Sequence, residues 1–284
     1  MYLLNNIRQH ILCFCCLIAC SYCLSQEKIL YKQIDTTKLF MEKYSPKNID
    51  TTKKHPAIVF FFGGGWNKGS IYQFKPHANY FSQRGIVCFL VDYRVRNRHK
   101  TTPFESLKDA KSAIRFIKEN ANSYFLDTTK IVASGGSAGG HLAAAAALVN
   151  EYNDDSDNLS ISSKPNALIL FNPAIDNGPG GVGYKRIGEA YKKFSPLHNI
   201  KEESPPTIIF SGTKDKLIPV KTIELYQKKM ISFGNRCDVY LYEGKQHGFF
   251  NYNKFKNYKE TLLKADEFLQ SLGYLNKNPA IEIK

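Results

Sequence analysis

Several stretches of this chain are apolar without interruption, and they are too short to be membrane spans. Residues 55–66, "HPAIVFFFGGGW", are the first, and residues 84–94, "RGIVCFLVDYR", repeat the pattern. "KIVASGG" (130–136), "NALILFNP" (166–173), "PTIIFSGTKD" (206–215) and "CDVYLYEG" (237–244) follow. A continuous apolar run bounded by glycine, proline or charge is the mark of a strand buried on both faces. "KILYKQID" (28–35) and "TTKLFMEKYSP" (36–46) instead alternate apolar with polar positions, which predicts two short edge strands joined by a turn. Between the buried runs lie helical patterns. Residues 103–120 put Leu107, Ala110, Ala113, Ile114 and Ile117 on one stripe with lysines opposite. "VKTIELYQKKMISFG" stops at Gly234, and "YKETLLKADEFLQSLG" stops at Gly273 in the same way. Strands alternating with helices predict an α/β fold, a mostly parallel central sheet with helices on both faces. Ligands on such sheets bind beyond the carboxyl ends of the strands.

Length fits this picture. The chain has 284 residues, 43% hydrophobic and 13% aromatic, enough for one α/β domain over residues 26–284. Residues 1–25 are set apart by Arg8, an apolar stretch over 11–24 and the polar sequence that follows, the form of a secretory signal peptide. Two processing readings stay open. Cys23 and Ser25 suit a cut before Gln26, whereas "LIAC" (17–20) has the form of a bacterial lipobox that would lipidate Cys20 and tether the protein to a membrane. Either way the expectation is export to the periplasm, cell surface or medium of a bacterial cell. A cut before Gln26 reduces the seven cysteines to Cys88 and Cys237, both in apolar strand-like runs and expected as buried thiols. No cysteine or histidine cluster points to a metal. Lysine plus arginine number 39 against 25 acidic residues, a net charge of +14. For an exported protein this argues against nucleic acid as a partner; it leaves an acidic polysaccharide or a solvated lysine-rich face.

Candidate chemistry gathers at the predicted strand ends. Gly135, Ser137 and Gly139 form G-x-S-x-G between the strand "KIVAS" and the helix "AGGHLAAAAALV". So tight a strand-to-helix turn forces the serine into an unfavourable backbone conformation and requires neighbours without a β-carbon. The hydroxyl then stands over a helix N-terminus, where N–H groups favour developing negative charge. Ser137 is therefore the candidate nucleophile. His247, after the strand "CDVYLY", is the candidate base, and Asp215, after "PTIIF", the acid that orients it. Asp176 and Asp92 are rival acids, while His141 and His198 are expected to be structural. The triple glycine in "FFFGGGWNKGS" (60–70) allows Gly64 and Gly65, with the N–H of Ala138, to form an oxyanion hole.

These motifs, GGGW at 63–66, VDYR at 91–94 and GGSAGGH at 135–141 with Asp215 and His247, resemble an α/β-hydrolase of the carboxylesterase type. They are close to secreted carbohydrate esterases and acetylxylan-esterase-like proteins. The resemblance covers the chain beyond residue 25 and implies the α/β-hydrolase fold. It also implies a cofactor-free serine esterase for acetyl or other short acyl esters on carbohydrates. One departure is Phe62, where many relatives carry histidine before the triple glycine. The irregular segment 171–199 follows a core strand and is expected as a short cap or rim. There Asp176, Asn177, Tyr184 and Arg186, with Trp66 packing below or lining the pocket, would bind a sugar. Arg96 and Arg98 beside it would meet an acidic polymer. Two other readings are a prolyl-peptidase-like serine peptidase and an inactive hydrolase fold that binds polysaccharide. Oligomeric state is not legible.

Overall fold

The structure is a computed structural model that describes residues 26–277 and 281–283. The signal segment and Cys20 lie outside the described residues. Eight strands form one sheet: β1 (Gln26–Ile34), β2 (Thr37–Tyr44), β3 (His55–Phe61), β4 (Val87–Val91), β5 (Leu126–Gly136), β6 (Ala167–Phe171), β7 (Thr207–Gly212) and β8 (Cys237–Tyr242). Their order is β1-β2-β4-β3-β5-β6-β7-β8. The pair β1–β2 is antiparallel, as is β2–β4, and every later pairing is parallel. The two alternating sequences thus form the antiparallel edge and the continuous runs its buried parallel middle, because helix crossovers cover both faces of parallel strands.

Side-chain alternation decides which helix covers which face. Ala57, Val59 and Phe61 of β3 join Val87, Phe89 and Val91 of β4 in one core. Against it pack α2 (Pro103–Glu119), α3 (Ala138–Leu148) and α4 (Val220–Ser232). Ile58 and Phe60 point the other way, with Cys88, Leu90, Ile169 and Phe210, onto α1 (Lys75–Gln83) and α5 (Phe255–Ser271). Cys88 and Cys237 are buried, and among the described residues neither forms a disulfide. Helix α2 starts where a capping box forms. Thr102 accepts the Phe104 N–H at 3.3 Å, Glu105 accepts the Thr102 N–H at 2.8 Å, and Pro103 occupies the first turn. Helix α1 is absent from the hydrophobic pattern, because most of its residues are polar; Pro76 in its first turn was the available start signal.

The segment after β6 is short and anchored rather than open. It holds one-turn helices at Tyr184–Ile187 and Pro196–His198 with a 3-10 turn at Gly188–Lys193 between them. Ile175, Ile187, Phe194 and Leu197 bury it against the α2–α3 side of the core. Among the described residues no helix is long and apolar enough to cross a membrane.

Candidate active site

At the carboxyl end of β5 the chain turns directly into α3, and Ser137 is the turn. Its φ of 53° and ψ of −117° lie in a region that L residues rarely occupy. The surroundings leave no alternative. A Cβ on Gly135 would fall 2.4 Å from the Gly139 carbonyl, and one on Gly139 would fall 2.0 Å from the Phe61 oxygen. These glycines let β3, β5 and α3 converge more closely than any side chain allows. The Ser137 N–H donates to Phe171 O at 2.9 Å, and its carbonyl accepts from His141 at 3.0 Å and Ala174 at 3.0 Å. The strained residue is therefore held from both sides while its side chain stays half-exposed.

Asp215 follows β7 and His247 follows β8. The His247 Nδ1 lies 2.7 Å from Asp215 Oδ2. The other oxygen, Oδ1, accepts the Leu217 N–H at 2.8 Å and the Ile218 N–H at 3.0 Å. Burial pushes the Asp215 carboxyl up, but the bond from His247 and those two backbone donors outweigh it and hold the group below the ordinary carboxylate range. An ionised carboxylate accepts, so Nδ1 carries the proton and Nε2 is the nitrogen left with a lone pair. The two loops are stapled together by the Lys214 N–H, which donates to Lys245 O at 2.9 Å.

The end of β3 supplies the third loop. A Cβ on Gly63 would sit 3.4 Å from the Ser137 Cβ, so the triple glycine lies against the elbow. Its own N–H is taken by Gln73 Oε1 at 2.7 Å. The tight turn is closed by Asn67 and Lys68 donating to Gly64 O, which does not engage the N–H groups of Gly64 and Gly65. Ala138 opens α3, where N–H groups have no partner within the helix. Gly63 of the triple glycine therefore lies against Ser137, and Ala138 follows the serine at the start of α3.

Three residues here were invisible to motif reading. Gln73, besides holding Gly63, donates from Nε2 to Asn251 Oδ1 at 2.8 Å. Asn251 Nδ2 donates to Gly248 O at 2.8 Å, and the Gly248 N–H donates to Asn172 Oδ1 at 2.9 Å. This polar chain links the glycine loop, the histidine loop and the strand end beside the elbow. No sequence signal marks it, since the three residues belong to separate segments of the chain and to no motif.

Two of the expected sugar contacts, Trp66 and Asn177, need correction. Trp66 has 0% exposure and packs edge-on against His141, with ring centroids 5.1 Å apart. It is a floor beneath the glycine loop and cannot touch a substrate. Asn177 is also fully buried, and its amide donates to Val182 O at 2.8 Å and Ala174 O at 3.3 Å, closing the cap. Arg186 lies over the Trp66 ring at 5.4 Å and spends its guanidinium on Gly65 O and Asn67 Oδ1, both at 2.9 Å. It pins cap to glycine loop. Tyr184 donates to Glu189 at 2.8 Å, and Asp176 accepts the Gly178 N–H at 2.9 Å, so both stabilise turns within the cap. Arg98, itself exposed, pairs with Asp92 through two bonds of 2.8 and 2.5 Å, whereas it is Asp215 that holds His247; Arg96 is exposed as well. His141 Nε2 lies 3.1 Å from Phe194 O, and His198 Nδ1 lies 3.0 Å from Ser195 Oγ. Among the described residues no group of three His, Cys, Asp or Glu side chains is placed to hold a metal ion.

Comparison with known proteins agrees with this architecture. The family described as BD-FAE matches residues 41–177, and the dienelactone hydrolase family matches residues 182–274. Esterase 2 of Thermogutta terrifontis, phosphoramylated by tabun, is 43% identical with a TM-score of 0.86, covering 89% of this chain and 97% of that one. The same esterase with propionate bound gives 42% identity and a TM-score of 0.84, over 89% and 97% of the two chains. An acetylxylan esterase of Xylanibacter ruminicola is 28% identical over 79% of this chain and 46% of its own length. A probable isoprenylcysteine α-carbonyl methylesterase of Arabidopsis thaliana is 29% identical over 73% of this chain and 48% of its own length. The chain spans about half the length of these curated relatives. It belongs to the esterases of the α/β-hydrolase fold.

Proposed function

We propose that this protein is a serine esterase that removes short acyl groups, acetyl foremost, from carbohydrates. The observation that carries the mechanism is the backbone of Ser137 at φ 53°, a strain that neither sheet nor helix requires. In this reading His247 Nε2 takes the Ser137 proton as Oγ attacks the ester carbonyl. The N–H groups of Gly64, Gly65 and Ala138 receive the oxyanion. His247 then returns the proton to the departing sugar hydroxyl, which leaves an acyl-serine. Water, deprotonated by the same nitrogen, releases the acid and restores the serine. Asp215, kept ionised, holds the imidazole in the required tautomer and stabilises its cation.

Support for the nucleophile comes from the Thermogutta esterase, which is phosphorylated by paraoxon. Support for the substrate comes from the acetylxylan esterase of Xylanibacter and from the match to a Butyrivibrio fibrisolvens endo-1,4-β-xylanase. Export is proposed on the apolar segment at 11–24, with release before Gln26 or tethering through Cys20 as its two forms. The test measures acetate release from acetylated polysaccharides and from p-nitrophenyl acetate, beside paraoxon labelling followed by peptide mass. We expect release from at least one polymer, none from Ser137→Ala, and the diethylphosphoryl group on the Ser137 peptide. Turnover of the small ester alone would remove the carbohydrate assignment. Labelling at another residue would remove the nucleophile.

A further inference from the structure

Along α1 runs a cleft of about 640 Å³ that the triad and the cap do not line. Tyr72, Asn79, Gln83, Tyr252 and Tyr258 line it, together with Glu282 and Ile283. Its position follows from sequence neighbours. Tyr72 precedes Gln73 and Tyr252 follows Asn251, and those two amides are hydrogen-bonded at 2.8 Å while Gln73 holds the Gly63 N–H. Two of the cleft's tyrosines are thus chain neighbours of the amide pair that backs the glycine loop.

We propose that this cleft is a glycan subsite, which takes neutral sugar residues flanking the acylated one in an oligomer or polymer. The inference rests on the carbohydrate-ester reading above and names the size class of its substrate. Three features point to a pyranose chain. First, Tyr72 is 58% exposed, with Lys75 Nζ 5.7 Å from its ring centre, and Tyr252 is 43% exposed, so large ring surfaces are left in water at the cleft. Both are held in place: the Tyr72 hydroxyl donates to Glu42 at 3.3 Å, and Tyr252 packs edge-on against Tyr258 at 5.2 Å and Phe255 at 5.8 Å. A fixed ring offers the apolar C–H face of a sugar a platform at little entropic cost. Second, Asn79 and Gln83 stand one helical turn apart on α1 and line the cleft, where the exposed Gln83 donates from Nε2 to Asn79 O at 2.9 Å. Its side-chain amide carries an acceptor oxygen and N–H donors of the kind that pair with sugar hydroxyls. Third, the chain carries +14, yet the charged side chains lining this cleft are Lys75 and Glu282, of opposite sign. A polyanion site would gather cations, whereas a neutral glycan needs aromatic faces and amides. The volume lies within the ~300–1,000 Å³ of ordinary ligand sites.

The test separates binding from turnover. Xylohexaose, mannohexaose and cellohexaose are titrated calorimetrically into the Ser137→Ala protein, and acetate release from partially acetylated oligomers is measured for wild type, Tyr72→Ala and Tyr72→Phe. We expect one hexasaccharide to bind. Tyr72→Ala should raise KM on the oligomer about tenfold, the scale of one lost stacking contact of ~1.4 kcal/mol. Its kcat and its p-nitrophenyl acetate kinetics should stay within twofold, and Tyr72→Phe, which keeps the ring, should restore KM. Failure of all three hexasaccharides to bind overturns the glycan subsite. So does an unchanged KM in Tyr72→Ala while wild type cleaves the oligomer. Hexasaccharide binding that Tyr72→Ala weakens, without acetate release from any polymer, overturns the carbohydrate-esterase reading and leaves the subsite standing.

Discussion

Ser137 shows what a single residue costs and what it gains. A non-glycine residue at φ 53° and ψ −117° carries on the order of 1–3 kcal/mol of strain, tolerated because strand, helix and two glycines over-determine it. His247 depends in turn on Asp215. Asp215→Asn would accept from neither Nδ1–H nor the backbone donors as strongly, and would favour the wrong tautomer. Its kcat should fall by about 10⁴ with the melting temperature little changed, measured by steady-state kinetics beside thermal unfolding. A loss below tenfold would leave the tautomer uncontrolled by Asp215. Gln73 acts one step further out, as a positioning residue. Gln73→Ala frees the Gly63 N–H and unties Asn251, so kcat should drop roughly tenfold at constant KM, less than the ~10²–10³ of a lost oxyanion donor. Gln73→Glu keeps the acceptor for Gly63 and should recover part of that loss. A change in KM alone would make Gln73 a substrate contact instead.

At the scale of elements, ion pairs join what the hydrophobic pattern leaves separate. Lys32 on the edge strand β1 meets Asp109 of α2 at 3.0 Å and Asp154 at 2.7 Å, with Ser112 Oγ at 2.9 Å. Arg94, just past β4, reaches both oxygens of the same Asp109 at 2.8 Å. The Asp109 side chain is fully buried and shared by two cations. Asp109→Ala should therefore cost about 3–5 kcal/mol, because it strands buried charges rather than merely losing a contact. Urea unfolding measures this, and a loss below ~1 kcal/mol would mean that Asp154 and Ser112 suffice for Lys32. Nothing in the alternation of "KILYKQID" marks Lys32 as inward-facing; a lysine there reads as solvent until α2 and residue 154 are placed beside it.

For the whole molecule, several carboxylates set the response to acid. Asp154, Asp215 and Asp266 are each raised by burial but lowered more by partners, chiefly Lys32, His247 and Arg84, so all end below their ordinary range. A carboxyl with a depressed folded value contributes stability that is complete above its unfolded value. That stability is withdrawn as pH falls through the folded one, where the native state must take up protons. The urea midpoint should begin to fall below about pH 6.5, where the unfolded chain protonates the imidazoles of His77 and His141 that burial holds well below the ordinary histidine range. It should fall further below about pH 4 as the carboxylates titrate. Asp266→Asn should be less stable at pH 7 and lose less on acidification. A wild-type midpoint unchanged at pH 3 would contradict the sign.

The sequence by itself determined the parallel sheet, its antiparallel edge, the elbow and the strand ends that carry Ser137, Asp215 and His247. Each of these rests on local chemistry: continuous apolar runs, glycines where no Cβ fits, and loop residues directly after strands. Only the tertiary structure decided the rest. It buried Trp66 and Asn177 beneath the loops they were expected to serve, and committed Arg98 to Asp92. It also joined Gln73 to Asn251 across 178 residues and opened the tyrosine cleft along α1. A polar side chain looks the same in sequence whether it faces substrate or its own chain. Which it faces depends on partners brought from distant segments, and those are set by the packing of the whole sheet and its helices.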